Sequence, residues 1–453
     1  MDPTPALRPR ASWIDRLRAP LAAVERHELP AVVAAFFLFF CILGGYFAVR
    51  PIRETVGTLL GADRVADLWF VTWLATLAIV PIYGAVVSRF RRSAFLPWTY
   101  GFVAVSFVLV GLSLRGNQAG IAAGQFFYVF ISVLNLFLIS VFWSFLLEVF
   151  RTDQTKRLFG LIAAGGTLGA LIGPLFTDIT VRLIGNTGVL YVGAALFALA
   201  IVCQRVLIGL WKGEVVPAAS DALPPARDRA LGGNPFAGIS IVGRSPYLLA
   251  IALFVVLAAT ANTFLYFEQL RLVELTFPDV EMRTRVFARI DWIVQSLTIV
   301  SQVFLTGWIA TRLGVVVLLT MVPLIMIGGF LALAAWNSFA VLAMVFVARR
   351  FGEYAFVRPG REMLWSPLDR ETKYKAKNFV DVPVYRGGDA LIAQVERAIA
   401  GAGFGPQALG ILGAVGAVAW AVNGWWLGRR HDAAAAPAAT AEAVPSGASP
   451  RPA

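Results

Sequence analysis

Charged residues are scarce in this sequence, and that scarcity decides the class of the protein. Only 15% of the 453 residues are charged, whereas 58% are hydrophobic and the mean hydropathy is +0.73. A soluble protein carries about 25% charged residues, so the composition excludes a soluble protein and indicates a polytopic membrane protein. We expect the net charge of +12 to hold loops at the cytoplasmic face of a membrane, not to bind nucleic acid.

Cysteine and histidine are scarce too. The two cysteines, Cys41 and Cys203, lie in apolar runs, which argues against a disulfide framework or a metal site. Both histidines, His27 and His431, lie outside those runs, which excludes a histidine proton relay within the membrane. The sequence also has no glycine-rich phosphate loop ending in Lys-Ser/Thr. We therefore expect no enzymatic activity, no catalytic residue, no metal ligand and no cofactor.

Long apolar segments account for most of the chain. Each has about the 20 residues that a membrane-spanning helix needs, and they cover 31–56, 67–88, 94–114, 120–148, 158–181, 187–211, 246–273, 286–310, 314–335, 338–362, 382–402 and 406–428. The pattern predicts an all-α polytopic membrane protein with about twelve transmembrane helices. Basic residues concentrate in alternate loops, which predicts that both termini are cytoplasmic.

The segments fall into two sets of six. We predict a cytoplasmic segment with a surface helix at 1–30, a bundle at 31–211, a linker at 212–245, a second bundle at 246–428 and a disordered tail at 429–453. Three short patterns recur in order across the linker, for example Tyr46-Phe47 before Glu54 and Tyr266-Phe267 before Glu274. Two pseudo-repeated six-helix halves are the plan of the major facilitator fold, in which the substrate site lies between the halves.

Three stretches resemble the ATP/ADP antiporter family, a branch of the major facilitator fold. They are RPGREMLWSPLDRETKYKAKNFVDVPVYRGGDAL at 358–391, FAVRPIRETVG at 47–57 and FWSFLLEVFRTDQTKRLFGLIAAGGTLGALIGP at 142–174. The resemblance covers 31–428 and implies nucleotide exchange across a bacterial cytoplasmic membrane by a monomer. By motif position Arg53 and Arg361 stand where the nucleotide exchangers have lysine, so this sequence departs from the family at both.

Arginines within the apolar segments are the candidate substrate ligands. A charge at the centre of a spanning helix costs about 2.5–3.5 kcal/mol on insertion scales, and a guanidinium offers a planar fork of donors suited to phosphate. The candidates are Arg53, Arg361, Arg349, Arg350 and Arg50. Structural alternatives remain open: snorkelling of Arg50 and Arg53 to the interface, and an interfacial helix end at Arg361.

Acidic residues in or beside the same segments are candidates for coupling or gating. They are Glu54, Glu148, Glu268, Asp291, Glu353 and Glu362. Glu353 is spaced to form an internal salt bridge with Arg349 or Arg350. Glu268 and Asp291 are the best candidates to neutralise these arginines from other helices, and Glu148 could pair with Lys156 or Arg157.

Glycines indicate where helices meet. Gly165, Gly169 and Gly173 recur every fourth residue, a spacing that lets helix backbones approach closely. The run also resembles a motif of antiporters with this fold. Gly387 and Gly388 take the matching place in the second half.

Three hypotheses for the function follow. The first is an alternating-access transporter that exchanges nucleotide-type anions such as ATP and ADP. The second is a transporter of the same fold for another organic solute, coupled to protons through Glu268, Asp291 or Glu353. The third is a membrane scaffold or sensor without transport. All three place the chain in a lipid bilayer and none requires nucleic acid.

Overall fold

A computed structural model describes residues 24–89, 92–114, 117–211 and 237–442. Helices account for nearly all of these residues, and no strand occurs among them, which confirms the all-α prediction. Most of the predicted surface helix at 1–30 and most of the linker at 212–245 lie outside the described residues.

The first half of the chain forms long helices. They are α1 (Leu29–Leu60), α2 (Ala62–Arg89), α3 (Arg92–Ser113), α4 (Asn117–Val149) and α5 (Thr152–Trp211). The α5 helix bends sharply at Gly185, where φ is 69° and ψ is 173°. Only glycine adopts such a backbone conformation readily, so this residue divides α5 into two long rods.

The second half is divided into more elements. They are α6 (Ala237–Arg244), α7 (Pro246–Thr276), α8 (Val280–Ser301), α9 (Gly307–Arg312), α10 (Gly314–Ala335), α11 (Phe339–Gly352), α12 (Arg358–Met363), α13 (Arg370–Phe379), α14 (Tyr385–Gly401) and α15 (Pro406–Glu442). Polar side chains accept hydrogen bonds from the first turns of four of these helices, as N-caps do; they are Ser245, Asp279, Ser338 and Asp369. The α15 helix continues to Glu442, into the tail for which the composition predicts disorder.

Three π-helical turns join consecutive helices in the second half. Gln302–Thr306 joins α8 to α9, Glu353–Val357 joins α11 to α12, and Val380–Val384 joins α13 to α14. The first two are bonded to each other, because Thr306 Oγ1 donates to the Ala355 carbonyl at 2.9 Å and Gln302 Nε2 donates to the Tyr354 carbonyl at 3.2 Å. Such turns are rare and are often found at functional sites.

Eight helices within the described residues are long and apolar enough to cross a membrane. They are Leu29–Leu60, Phe95–Ser113, Gly120–Val149, Arg157–Leu210, Pro246–Thr276, Val280–Ala310, Gly314–Ala335 and Pro406–Ala433. The chain is therefore a multi-pass membrane protein. The total of about twelve spans stays a prediction, because α11 and α14 have 14 and 17 residues, fewer than the about 20 that a span needs.

The chain divides into two compact units. One comprises Met1–Arg53 and Val80–Ala222, and the other comprises Glu54–Ile79 and Leu223–Ala453. The end of α1 and most of α2 therefore pack with the C-terminal helices. The domain boundaries predicted from the sequence stay predictions.

Glycines set the contact between α1 and α5 in the N-terminal unit. A Cβ atom on Gly165 would lie 2.3 Å from the Phe36 carbonyl oxygen, and one on Gly169 would lie 2.5 Å from that of Phe40. One on Gly173 would lie 2.6 Å from the Gly44 carbonyl oxygen. Real Cβ atoms do not come so close, so the two backbones touch along three successive turns.

Aromatic and aliphatic side chains form the core of the C-terminal unit. Trp365 and Trp420 are fully buried, and Trp420 packs against Phe254 with ring centroids 5.7 Å apart. Glycine again permits close approach here, because a Cβ atom on Gly424 would lie 2.9 Å from the Leu319 carbonyl oxygen. The tight helix pair in this unit is α10 with α15.

Candidate functional site

Arg349 lies in the last turn of α11 and is 5% exposed. Its Nη1 donates a hydrogen bond of 2.6 Å to Oδ1 of Asn262 on α7. Its Nε is buried without a hydrogen-bond partner, and the side chain forms no ion pair with any carboxylate of the described residues. The structure thus holds a buried guanidinium by a neutral amide and leaves part of its donor fork unused.

Arg350, the next residue, has a different partner. Its Nη1 forms an ion pair with Oδ1 of Asp291 on α8. The two side chains are 8% and 4% exposed, and the guanidinium also lies over the Phe346 ring, 5.6 Å from its centroid. The pair is buried on both sides, so removing either partner would strand the other charge in a medium of low dielectric.

Glu353 opens the π-helical turn after α11 and pairs with neither arginine. The spacing permits an internal salt bridge, but Asn262 and Asp291 on neighbouring helices take the two guanidinium groups instead. Oε2 of Glu353 is buried without a hydrogen-bond partner. Arg349, Glu353 and Asp389 all lie within electrostatic range of the Tyr385 hydroxyl. The site therefore draws side chains from α11, from the π-helical turn and from α14.

Arg361 lies on α12 and is 9% exposed. Its Nη2 is 3.5 Å from Oδ1 of Asp381, which lies in the third π-helical turn. Its Nε is buried without a hydrogen-bond partner. Glu362, the next residue, is exposed and accepts a bond of 2.5 Å from Lys377. Arg361 therefore has only a loose acidic partner, whereas Glu362 is part of a surface ion pair.

Glu268 does not neutralise Arg349 or Arg350. It accepts hydrogen bonds of 2.5 Å from Arg271, three residues further along α7, and from Asn337 Nδ2 just before α11. Asp291 does bind Arg350, so of the two carboxylates proposed for this task only one performs it. Glu268 binds Arg271 instead, because residues three apart lie on the same face of a helix.

Arg53 points to an aromatic partner within the N-terminal unit. Its Nη2 donates to the Tyr128 hydroxyl at 3.1 Å, and its guanidinium carbon lies 4.5 Å from the Tyr128 ring centroid. Tyr128 is fully buried. An arginine that snorkels to water would not bind a buried phenol, so this contact favours an interior position for Arg53. Arg50 is half-buried.

Glu54 is buried in the C-terminal unit. It is 5% exposed and accepts a hydrogen bond of 2.7 Å from the Tyr266 hydroxyl. The Tyr266 ring packs on Trp69 with centroids 4.9 Å apart. The Tyr266–Glu54 bond joins two residues that the internal repeat had singled out separately.

Glu148 is exposed at the end of α4, and Arg157 pairs with another acid. Arg157 Nη2 donates to Glu28 Oε1 at 2.9 Å, and Gln154 Nε2 donates to the same oxygen at 2.9 Å. Glu28 is only 1% exposed. The sequence does not reveal Glu28 as a buried acid, because its position before the first apolar run is typical of an exposed flank.

Gly387 and Gly388 permit two close contacts of α14. A Cβ atom on Gly387 would lie 3.4 Å from the Trp73 indole, and one on Gly388 would lie 3.6 Å from the Ala259 Cβ. Trp73 Nε1 is buried without a hydrogen-bond partner. Within the described residues no cluster of three or more His, Cys, Asp or Glu could hold a metal ion.

No family model matches the chain. Curated sequences do match: ADP,ATP carrier protein 1 of Chlamydia muridarum is 23% identical over 444 residues, covering 84% of either chain. ADP,ATP carrier protein 2, chloroplastic, of Arabidopsis thaliana is 25% identical over 82% of this chain and 69% of the relative. The chain is thus similar to ADP,ATP carrier proteins at 23–25% identity. The resemblance stated from the motifs at 47–57, 142–174 and 358–391 is confirmed.

Solved structures establish the fold of this chain. The nucleoside transporter NupG has a TM-score of 0.60 at 14% identity, covering 89% of this chain and 99% of that one. A POT family peptide transporter has a TM-score of 0.57 at 15% identity, covering 93% and 99%. These neighbours are transporters of the major facilitator type, so the predicted fold is confirmed.

Proposed function

We propose that the chain is a secondary active transporter that exchanges nucleotide-type anions across a lipid bilayer by alternating access. The observation that carries the proposal is Arg349, a guanidinium that is 5% exposed, is bound to the neutral Asn262 and has no described carboxylate as an ion-pair partner. A buried charge is stable only when it is paired. An anionic solute would supply the missing partner, and the unused Nε would supply a second donor to it.

The other arginines support an anion over a cation. Asp291 neutralises Arg350 but leaves Arg349 in surplus on the same turn of α11. Arg361 has its nearest carboxylate at 3.5 Å and keeps a buried Nε without a partner. Arg53 donates a hydrogen bond to the Tyr128 hydroxyl, which orients its guanidinium. Guanidinium groups bind phosphate in a bidentate manner, so these positions suit phosphoryl groups.

The names of the relatives support the nucleotide. They are carriers of ADP and ATP at 23–25% identity, and one structural neighbour is a nucleoside transporter. The arginines at positions 53 and 361, in place of lysine, keep the positive charge but carry it on a planar guanidinium with several donors instead of a compact ammonium. We propose a monomer in a bacterial cytoplasmic membrane with both termini cytoplasmic, since the basic loops alternate in that sense.

The experiment is uptake of labelled ATP into liposomes that contain the purified protein and are either loaded with ADP or left empty. Exchange predicts uptake only with ADP inside. Arg349→Gln removes the surplus charge but keeps a polar side chain, so uptake should fall at least about tenfold, the equivalent of one lost charge-assisted hydrogen bond. Arg349→Lys keeps the charge but lacks the planar fork of donors, so uptake by this variant should fall less.

Arg429→Ala is the matched control, because Arg429 is exposed on α15 and lies over Trp425. Its uptake should equal that of the unmodified protein. Folded protein that takes up no ATP under either condition would contradict the nucleotide proposal, and equal loss in Arg349→Gln and Arg429→Ala would contradict the role of Arg349.

A second candidate function is favoured by Glu353. Its Oε2 is buried without a hydrogen-bond partner, whereas Glu268 and Asp291 are both bound to arginines. Of the three carboxylates considered for proton coupling, Glu353 is thus the one that no arginine of the described residues binds. Uptake into empty liposomes that is driven by a pH gradient and lost in Glu353→Gln would favour a proton-coupled transporter of another organic solute.

A further inference from the structure

The contact between Arg361 and Asp381 is an ion pair without a hydrogen bond. Nη2 of Arg361 lies 3.5 Å from Oδ1 of Asp381, and neither side chain forms another ion pair or a hydrogen bond with any residue that the structure describes. Arg361 Nε and Asp381 Oδ1 are both buried without a hydrogen-bond partner. Buried charges are normally stabilised by hydrogen bonds as well as by attraction, so this pair is held by charge alone.

The pair of Arg350 with Asp291 shows a tighter contact in the same unit. There Nη1 of Arg350 donates a hydrogen bond to Oδ1 of Asp291, and the two side chains are 8% and 4% exposed. In the pair of Arg361 with Asp381 the side chains are 10% and 27% exposed. The second pair is both longer and more open on its acidic side, so separating its partners costs less.

Asp381 has a second cation within reach. Lys377 precedes it by four residues and attracts its carboxylate electrostatically. The Lys377 ammonium is bound to Glu362 at 2.5 Å, but these two side chains are 29% and 46% exposed. An exposed ion pair contributes little to stability, so Lys377 can leave Glu362 to water and bind Asp381 instead. Separation of Asp381 from Arg361 therefore leaves neither carboxylate buried and unpaired.

The backbone at both residues departs from a regular α-helix. Asp381 lies in the π-helical turn Val380–Val384, which contains Pro383, and Arg361 lies on the short helix after the turn Glu353–Val357. Proline has no N–H group and removes a helical hydrogen bond. The segment that carries Asp381 can therefore shift at a lower cost than an uninterrupted helix.

We propose that Asp381 competes with the anionic solute for Arg361, so that the carboxylate and a phosphoryl group of the solute bind the guanidinium in turn. The inference rests on the proposed function, because it takes Arg361 as a ligand of the solute. A phosphoryl group can accept hydrogen bonds from Nε and Nη2 together, a geometry that Asp381 does not reach. Asp381 then pairs with Lys377. Asp381 thus sets the solute concentration at which the protein works.

The test is equilibrium binding of labelled ATP to the purified full-length protein, measured as the concentration that gives half-saturation. A competing pair that forms about 90% of the time weakens apparent binding about tenfold, so Asp381→Asn should lower the half-saturating concentration by about three- to tenfold. Asp381→Glu keeps the competing charge, so its half-saturating concentration should equal or exceed that of the unmodified protein. Tighter binding by Asp381→Glu would overturn the proposal.

Glu274→Gln is the matched control, because it removes an exposed carboxylate near the end of α7 in the same unit and should leave half-saturation unchanged. Asp381→Ser is a second neutral variant and decides the test if Asp381→Asn does not fold. In the Arg361→Gln background, Asp381→Asn should have no further effect, since the contested donor is absent. A further gain in that background would overturn direct competition, as would equal affinity in the neutral variants and the unmodified protein.

Inorganic triphosphate is a second probe, which separates this inference from the nucleotide proposal. It presents phosphoryl groups without a base or a sugar. Triphosphate binding that tightens in Asp381→Asn, with no ATP binding, would contradict the nucleotide proposal and support the competition. ATP binding that is no tighter in the folded neutral variants would overturn the competition and leave the nucleotide proposal intact. Binding of neither anion by any folded variant would overturn both.

Discussion

Two helix pairs, α1 with α5 and α8 with α11, are held in contact by opposite means. In the N-terminal unit, Gly165, Gly169 and Gly173 bring two backbones together without any charged side chain. In the C-terminal unit, Asp291 and Arg350 bring two helices together through a buried ion pair. The first contact requires that glycine has no side chain, and the second requires two opposite charges. The glycine contact therefore serves packing alone, whereas the charged contact also places Arg349 beside the pair.

The largest effect should come from breaking the buried ion pair. Arg350→Met removes the guanidinium that forms the buried ion pair with Asp291, which should lower the free energy of unfolding by about 3–5 kcal/mol. The double variant Arg350→Met, Asp291→Leu removes both charges and should recover most of that stability. Unfolding of both variants in detergent checks the prediction.

A double variant as unstable as the single one would show that the ion pair itself, and not the stranded charge, stabilises the C-terminal unit. If Arg350 also binds solute, the folded double variant still fails to take up ATP. That result would separate the contribution of this residue to stability from its contribution to transport.

A smaller effect should come from filling the glycine contact. Gly169→Ala places a Cβ atom 2.5 Å from the Phe40 carbonyl oxygen, so α1 and α5 must separate, at a cost of about 1–3 kcal/mol of stability. Gly160→Ala is the matched control on the same helix, because nothing lies within 4 Å of its Cβ position. That control should be neutral or more stable by about 0.5–1 kcal/mol, since alanine favours helix. Equal thermal unfolding midpoints for the two variants would refute close packing at Gly169.

The smallest effect should come from an exposed ion pair. Asp67 and Arg397 form a bond of 2.7 Å, but their side chains are 56% and 39% exposed. Asp67→Asn should therefore change the free energy of unfolding by only about 0.2–1 kcal/mol. A loss as large as that of Arg350→Met, measured in the same way, would mean that burial is not what distinguishes the two pairs.

The sequence predicted those features that depend on neighbours along the chain. The spacing of Gly165, Gly169 and Gly173 indicated a helix contact, and the structure shows where it lies. The fold and the carrier relatives followed from apolar length, from the repeat and from motifs. Each of these is local or periodic, so one sequence is enough to reveal it.

The partners across helices could not be predicted in the same way. Asn262 gives no sign in the sequence that it binds Arg349, because a single amide in an apolar helix is compatible with many roles. Glu28 was passed over because it lies at the polar edge of an apolar run, where exposed acids are common. Glu353 was expected to pair within its own helix, but spacing alone does not exclude stronger partners on other helices.

The π-helical turn at Glu353–Val357 gives the second half of this helix its own orientation. Each residue in a helix turns the chain by about 100°, so one surplus residue in that turn redirects every side chain that follows. Excising Ala355 would restore a regular helix and swing Arg361 away from Asp381 without changing either residue. The direction of the Arg361 side chain therefore depends on the number of residues in the π-helical turn, and not on the identity of any side chain in it.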